Sequence, residues 1–263
     1  MTILRVAAVQ HEPQWQDRDA TLAALTPTVA VAASTGARLV VLPELFATGF
    51  SMATEAIGEP EDGTTASWMR DRAAEHDVWV AGSVPEVRPG DDRPGNVCCI
   101  VAPDGTTTRY AKRHPFGMAD EPDHYRPGDD HVTVTIDGVR ITPTICYDLR
   151  FPEQYRATVD DTDAYLVVAS WPAARRQHWS SLLVARAIES QAYVVGVNRV
   201  GTDGNGIDHV GGSVVVDPLG HELVRAGDAA TVLSADLDTE VVARVRRDLP
   251  FLPDRRADEL PAR

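Results

Sequence analysis

Three residues share a placement that chemistry could use. Glu44 follows the apolar run 39–42, Lys112 follows the run ending at Tyr110, and Cys146 follows the run Val139–Ile145. Polar groups just past the carboxyl ends of buried strands are where α/β proteins build sites, because the strand fixes position and the turn exposes the side chain. Taken singly, each has a plainer reading: a loop carboxylate, a solvated ammonium, a small core residue. Cys98 and Cys99, inside an apolar run, fit the last of these. Cys146 differs, because Tyr147-Asp148-Leu149-Arg150 ends its run at once.

Together the three residues solve one chemical problem. A thiol is a weak nucleophile until it loses its proton. A carboxylate can take that proton. A neighbouring ammonium favours the thiolate and then the oxyanion of a tetrahedral intermediate. Cys, Glu and Lys thus make a complete acyl-transfer set without histidine. A Cys–His pair is the rival. His114, His124 and His178 lie near these segments, but none has a recognisable spacing to Cys146.

The elements that must hold these residues are short apolar runs alternating with helical patterns. Residues 3–9, 39–42 and 78–84 read as strands. Arg18–Ser34 is Ala-rich and reads as a helix that Pro27 kinks or interrupts. Thr64 reads as the N-cap of a helix carrying Trp68, Met69, Arg72 and Ala73. Residues 85–95 are a polar loop rich in Pro and Gly. Runs 97–101 and 106–110 flank Pro103-Asp104-Gly105, and runs 132–136 and Val139–Ile145 flank Asp137-Gly138; both are hairpin signals. Further on, 165–169, Tyr193–Asn198, 213–217, Glu222–Arg225 and 231–235 read as strands. Residues 178–191 and 239–247 read as helices. The loop 201–206 lacks the Gly-Lys-Ser/Thr ending of a phosphate loop. Strands mixed with helices and hairpins predict an α/β fold with mixed sheets, two of them back to back with helices outside. A TIM barrel and a Rossmann sheet are disfavoured. No linker-like break divides the chain, so residues 1–263 read as a single domain with an irregular tail over 250–263.

A chain of 263 residues can bury a sizeable core. Its 43% hydrophobic and 24% charged residues are ordinary for a globular protein. The formal net charge of −14 repels phosphate backbones and anionic headgroups, so nucleic acid and membrane surfaces are poor partners. No apolar run reaches the roughly 18 residues that span a bilayer, and no basic segment with an apolar signal core opens the chain. The expected location is the cytoplasm. The three cysteines, two of them adjacent, cannot make a disulfide framework. No CxxC or zinc-type His/Cys spacing is present, so no metal is expected.

Val40-Val41-Leu42-Pro43-Glu44-Leu45-Phe46, Tyr110-Ala111-Lys112-Arg113-His114 and Ile145-Cys146-Tyr147-Asp148-Leu149-Arg150-Phe151-Pro152-Glu153 resemble, in order, the three signature segments of the nitrilase (carbon–nitrogen hydrolase) superfamily. The resemblance runs from Leu4 to about Pro253. It implies an αββα sandwich, a homodimer, no cofactor, and a Glu-Lys-Cys triad carried onto Glu44, Lys112 and Cys146. It also implies a second, assisting glutamate, and Glu121 fits by its spacing to Pro127-Gly128. Within the superfamily, the run from Cys146 to Pro152 looks like the ω-amidase branch, which hydrolyses terminal amides of α-keto acids such as 2-oxoglutaramate. Met118-Ala119-Asp120-Glu121, Trp171-Pro172-Ala173 and Asn198-Arg199-Val200-Gly201 match it too. Pro115 departs from the family, which often has Leu after Lys-x-His.

The reaction so implied is attack by Cys146, proton transfer to Glu44, and an oxyanion held by Lys112 and the backbone N–H of Tyr147. Two rivals remain at this stage. One is another specificity on the same triad: a nitrile, a carbamoyl amide or deaminated glutathione. The other is a non-catalytic binding protein on the same fold, which would be expected to have lost a triad member. Asp148 and Arg150 read as locking the turn behind Cys146, and Trp171 as either core or pocket wall. A carboxylate-bearing substrate of so acidic a protein needs a local cation. Arg175, in a strand-to-helix turn, is the first candidate ahead of Arg176 and of Arg113, which is expected to point away from Lys112.

Overall fold

The computed structural model describes residues 2–256. In chain order β1 (Ile3–Gln10) leads to α1 (Arg18–Ser34), β2 (Leu39–Val41), α2 (Thr54–Ile57), β3 (Glu59–Pro60), α3 (Thr64–His76), β4 (Trp79–Val87), β5 (Gly95–Val101) and β6 (Thr107–Ala111). After α4 (Glu121–His124) come β7 (Val134–Ile136), β8 (Val139–Ile145), α5 (Pro152–Thr158), β9 (Ala164–Ala169), α6 (Arg176–Ser190) and β10 (Tyr193–Asn198). A small hairpin, β11 (Val200–Thr202) with β12 (Asp208–Val210), precedes β13 (Val214–Val216), β14 (Glu222–Arg225), β15 (Thr231–Asp238) and α7 (Thr239–Asp248).

One sheet runs β15-β1-β2-β4-β5-β6 with β3 beside β4, and the other runs β14-β13-β10-β9-β8-β7. Both are mixed. β1, β2 and β4 are parallel neighbours, as are β8, β9 and β10; the short β3 is parallel to β4, and the other outer pairs are antiparallel. The strand period of two divides each run between two cores. On β5, Cys98 and Ile100 face the other sheet, while Val97, Cys99 and Val101 face helices. Between the sheets Leu4, Val6, Leu39 and Ile100 share a core with Ile145, Leu166 and Val195. Outside the first sheet, Leu22, Leu25 and Val29 of α1 and Met69 and Ala73 of α3 cover Val40 and Val80. Outside the second, Tyr155 of α5 and Leu183 and Ala187 of α6 cover Tyr165, Val167 and Val194. The result is the expected αββα sandwich. Its central strands β2, β5, β9 and β10 are buried on both faces, which is why they read as apolar runs instead of alternating ones.

Local expectations fare unevenly. The Asp137-Gly138 hairpin forms with φ of 44° and 82°, the two positive values that a type I′ turn needs. α1 runs unbroken through Pro27, carried by its buried face of Leu22, Leu25, Val29 and Ala32. Thr64 is the first residue of α3 and not its cap. Gly63 holds that position without a side-chain bond, and the buried Glu59 carboxylate accepts the Thr65 N–H at 2.9 Å instead. The expected loop at 85–95 is shortened at both ends, since β4 continues to Val87 and β5 starts at Gly95. In the tail, Leu252–Asp254 forms a 3₁₀ turn, and residues 257–263 lie outside the described residues. Among the described residues no helix is long and apolar enough to cross a membrane.

Candidate active site

The residues just past β2, β6, β8 and β9 meet in one cavity of about 330 Å³, lined among others by Glu44, Lys112, Cys146 and Ser170. Each is held by its backbone. The turn bearing Glu44 seats on β4: Leu45 adopts φ +44° and donates its N–H to Ser83 Oγ at 2.8 Å. A Cβ on Gly82 would lie 2.8 Å from Phe46, so only glycine admits this turn. The Lys112 N–H donates to Asn96 O at 2.9 Å, and its carbonyl accepts from Gly128 N at 2.8 Å. Cys146 opens the 3₁₀ turn Cys146–Arg150 with φ +46°, a left-handed conformation that a non-glycine residue adopts at a cost. The effect is that of a nucleophile elbow, which lifts the side chain off the end of the sheet.

The charged groups form a tight buried cluster. Lys112 Nζ donates to Glu44 Oε1 at 2.8 Å and to Glu121 Oε2 and Oε1 at 2.8 and 3.0 Å. Glu44 Oε2 accepts the Ser170 N–H at 2.8 Å, and Glu121 Oε2 accepts the Phe116 N–H. Burial disfavours the charged ammonium, but Glu121 and then Glu44 outweigh it and hold Lys112 well above the usual lysine range. Burial lifts Glu121, against the pull of Lys112 and with a further push from Glu44. Burial also lifts the Cys146 thiol well above the usual cysteine range. The charge of Glu44 adds to this, and Lys112 opposes it without prevailing. The ammonium therefore does not by itself produce a resting thiolate, and the proton stays on the thiol until a base takes it. Cys98 and Cys99 are fully buried away from this cluster, and burial pushes Cys98 up to about 12.

Tyr147, Trp171 and Arg175 also line the cavity. Trp171 serves both readings, since it is nearly buried against Trp179 and still faces the pocket. The Arg175 guanidinium lies 5.2 Å from the Phe116 ring centroid. Arg113 turns outward to the Asp129 carbonyl. Asp148 locks the turn as expected, but Arg150 does not: it lies 4.7 Å over the Trp171 ring and faces the cavity. Among the described residues, no group of three or more His, Cys, Asp or Glu side chains could hold a metal ion.

Residues 5–247 match the carbon–nitrogen hydrolase family model. The chain belongs to the carbon–nitrogen hydrolase family. It is 41% identical to the ω-amidase YafV of Escherichia coli K12 over 97% of each chain. It is 35% identical to a 2-oxoglutaramate amidase of Bacillus subtilis over 84% of this chain and 86% of that one. Among solved structures, XC1258 of Xanthomonas campestris, a CN-hydrolase superfamily protein with an arsenic adduct in its active site, matches with a TM-score of 0.93. That match has 36% identity and covers 99% of this chain and all of that one. The chain is thus a C–N hydrolase similar to ω-amidases.

Several residues of this hydrolase's cavity, and of the charged cluster buried behind it, escaped the sequence. Asn96 donates from Nδ2 to Glu44 Oε1 at 2.8 Å and to Glu121 Oε1 at 3.3 Å, from the interior of a strand where no motif marks it. Ser170 did carry a signal, since it follows β9 as Glu44 follows β2. Phe50, Phe116, Asn205 and His209 reach the cavity from loops and from the small β11–β12 hairpin.

Proposed function

We propose that this protein is a cysteine amidase that hydrolyses the terminal amide of a small α-keto acid, 2-oxoglutaramate or a close analogue, to the acid and ammonia. The observation that carries the reading is the sharing of one cavity by an elbow-mounted thiol, Glu44, Lys112 and two guanidiniums, Arg150 and Arg175, with Glu121 buried against Lys112. The names of the relatives point to the same class of amide.

In this reading Cys146 Sγ attacks the amide carbon while Glu44 takes the thiol proton. The carbonyl oxygen becomes an oxyanion facing Lys112 Nζ and the backbone N–H of Tyr147. Tyr147 is the second residue of its 3₁₀ turn, and the first N–H groups of such a turn have no acceptor within it. Collapse breaks the C–N bond, Glu44 returns the proton, and ammonia leaves a thioester on Cys146. A water then gives a proton to Glu44 and attacks the thioester, and the proton passes to the departing thiolate. Glu121 holds the Lys112 ammonium alongside Glu44. The intact triad speaks against a non-catalytic binding protein.

The test is turnover of 2-oxoglutaramate, 2-oxosuccinamate, glutamine, simple aliphatic amides and nitriles. Preference for the keto-acid amides supports the reading; preference for plain amides or nitriles removes the ω-amidase assignment and leaves the hydrolase chemistry.

We further read residues 1–263 as one domain of a cytoplasmic homodimer. The family match across residues 5–247 supports the single domain. Exposed Ile188, Leu219 and Leu223 offer apolar surface for a second copy, and a monomeric mass by light scattering would remove the dimer.

A further inference from the structure

Asn96 touches both glutamates of the cluster without carrying a charge. We propose that it is a positioning residue: with Lys112 it fills Oε1 of Glu44 and so leaves Oε2 as the atom that takes the proton of Cys146. This rests on the reading of Glu44 as the base.

A carboxylate oxygen has two lone-pair sites for donors. Oε1 of Glu44 has both occupied, by Lys112 Nζ and Asn96 Nδ2, each at 2.8 Å. Oε2 has one protein donor, the Ser170 N–H at 2.8 Å. Cys146 lines the same cavity as Glu44, and the site left open for its thiol is therefore on Oε2. Without Asn96 the carboxylate could pivot about Lys112, and either oxygen could meet the thiol.

The orientation of the amide follows from the same contacts. Reversed, it would set its own oxygen against Oε1 of both glutamates. As placed, Nδ2 faces them and Oδ1 looks away, buried and without a donor. An amide chosen to fill space would have no reason to leave an oxygen in that state. The backbone joins in as well, since the Asn96 carbonyl accepts the Lys112 N–H. One residue of β5 thus sets the main chain of Lys112 and the side chains of both carboxylates. A cation in its place would compete with Lys112 for the glutamates, and an anion would repel them. The ionisable groups facing it are Glu44, Lys112 and Glu121, with Cys146 and Tyr125 just beyond.

The test uses Asn96→Leu, which removes both donors without adding charge, and Asn96→Asp, which keeps the shape and adds a third carboxylate. Each rate is divided by the fraction of Cys146 that can be alkylated, so poorly folded protein does not count. For both variants kcat on 2-oxoglutaramate should fall roughly 10–100-fold, with KM within about threefold of the parent. In Asn96→Asp the acid limb of the kcat–pH profile should also move to higher pH, because like charges disfavour ionisation. In a Glu44→Gln background, Asn96→Leu should add less than about twofold, since there is no base left to position. If neither variant folds, Asn96→Ser, too short to reach both carboxylates, is expected to show the same loss of kcat. Parent-like kcat per reactive thiol, or an equal loss with and without Glu44, overturns the proposal. An active Glu44→Gln protein instead overturns the base on which it rests.

Discussion

The Asp148 carboxylate accepts the backbone N–H of Ile145 at 2.9 Å and so closes the turn that carries Cys146. The same oxygen, Oδ2, accepts the Tyr110 hydroxyl at 2.8 Å. Oδ1 accepts the backbone N–H of His114 at 3.0 Å and meets its Nδ1 at 2.8 Å. Tyr110 and His114 flank Lys112, so one carboxylate ties the end of β6 in the first sheet to the end of β8 in the second. Two backbone N–H groups sit on opposite oxygens, and only a carboxylate satisfies both. In Asp148→Asn the amide NH₂ must face one of them. A buried donor left unpaired costs about 1–3 kcal/mol. At about 2–4 °C per kcal/mol for a chain of this size, the melting temperature should drop by roughly 2–12 °C. An unchanged melting temperature would mean that the turn is held by other contacts.

The sequence announced the ends of the strands better than what meets across them. Glu44, Lys112 and Cys146 were legible because each ends an apolar run, and the sandwich was legible from the runs and hairpins themselves. Asn96 was not, because its role depends on the register of β5 against β4 and β6, which pairs it with Pro85 and brings its carbonyl to Lys112. Arg150 read as part of the turn because it adjoins Asp148 in sequence, yet the 3₁₀ geometry sends the two side chains to opposite sides: Asp148 inward to the turn, Arg150 over Trp171 into the cavity.

Cys146→Ala should abolish turnover and thiol labelling while leaving the fold intact, whereas Cys98→Ala and Cys99→Ala should keep both. Burial, reinforced by Glu44, holds the Cys146 thiol well above its ordinary value of 9.0. Inactivation by iodoacetamide should therefore keep accelerating as pH rises past 9. A rate that levels off near neutrality would show a resting thiolate and make the proton acceptor unnecessary for attack.

Glu44→Gln keeps the shape of the carboxylate and removes the base, so kcat should fall about 10²–10⁴-fold. Lys112→Met should be similarly damaging, because it leaves Glu44 and Glu121 facing each other without a cation. Glu121→Gln should also impair turnover, and parent-like activity would return it to a structural role. The pH dependence of stability checks the cluster separately. The folded-state value of Lys112 lies above its ordinary 10.5, so its contribution is fully present below that pH and is lost as pH climbs through the folded value. Urea midpoints should accordingly fall in the alkaline range above 10.5, and less steeply in Lys112→Met.

Arg175 and Arg150 should decide which amides are accepted. The protein carries a formal charge of −14, so a substrate carboxylate arrives against an unfavourable field unless the cavity supplies cations. Each guanidinium is braced by an aromatic face, Arg175 on Phe116 at 5.2 Å and Arg150 on Trp171 at 4.7 Å. The aromatic contact steadies each group, one Arg150 nitrogen also meets His178 Nδ1 at 3.2 Å, and the planar fork of a guanidinium suits a carboxylate bound through two parallel hydrogen bonds. A hydrogen bond to a charged partner contributes about 1.5–3 kcal/mol, so Arg175→Ala should raise KM for 2-oxoglutaramate roughly 10–100-fold. An uncharged amide of similar length should shift less than about threefold. Arg175→Lys keeps the charge but loses the fork, and should fall between the two. Arg150→Ala should follow the same pattern if both groups grip one carboxylate. Equal shifts for charged and uncharged amides would instead assign Arg150 to packing against Trp171. For Arg175, the outcome that removes it from the substrate's path is a KM for 2-oxoglutaramate that does not move.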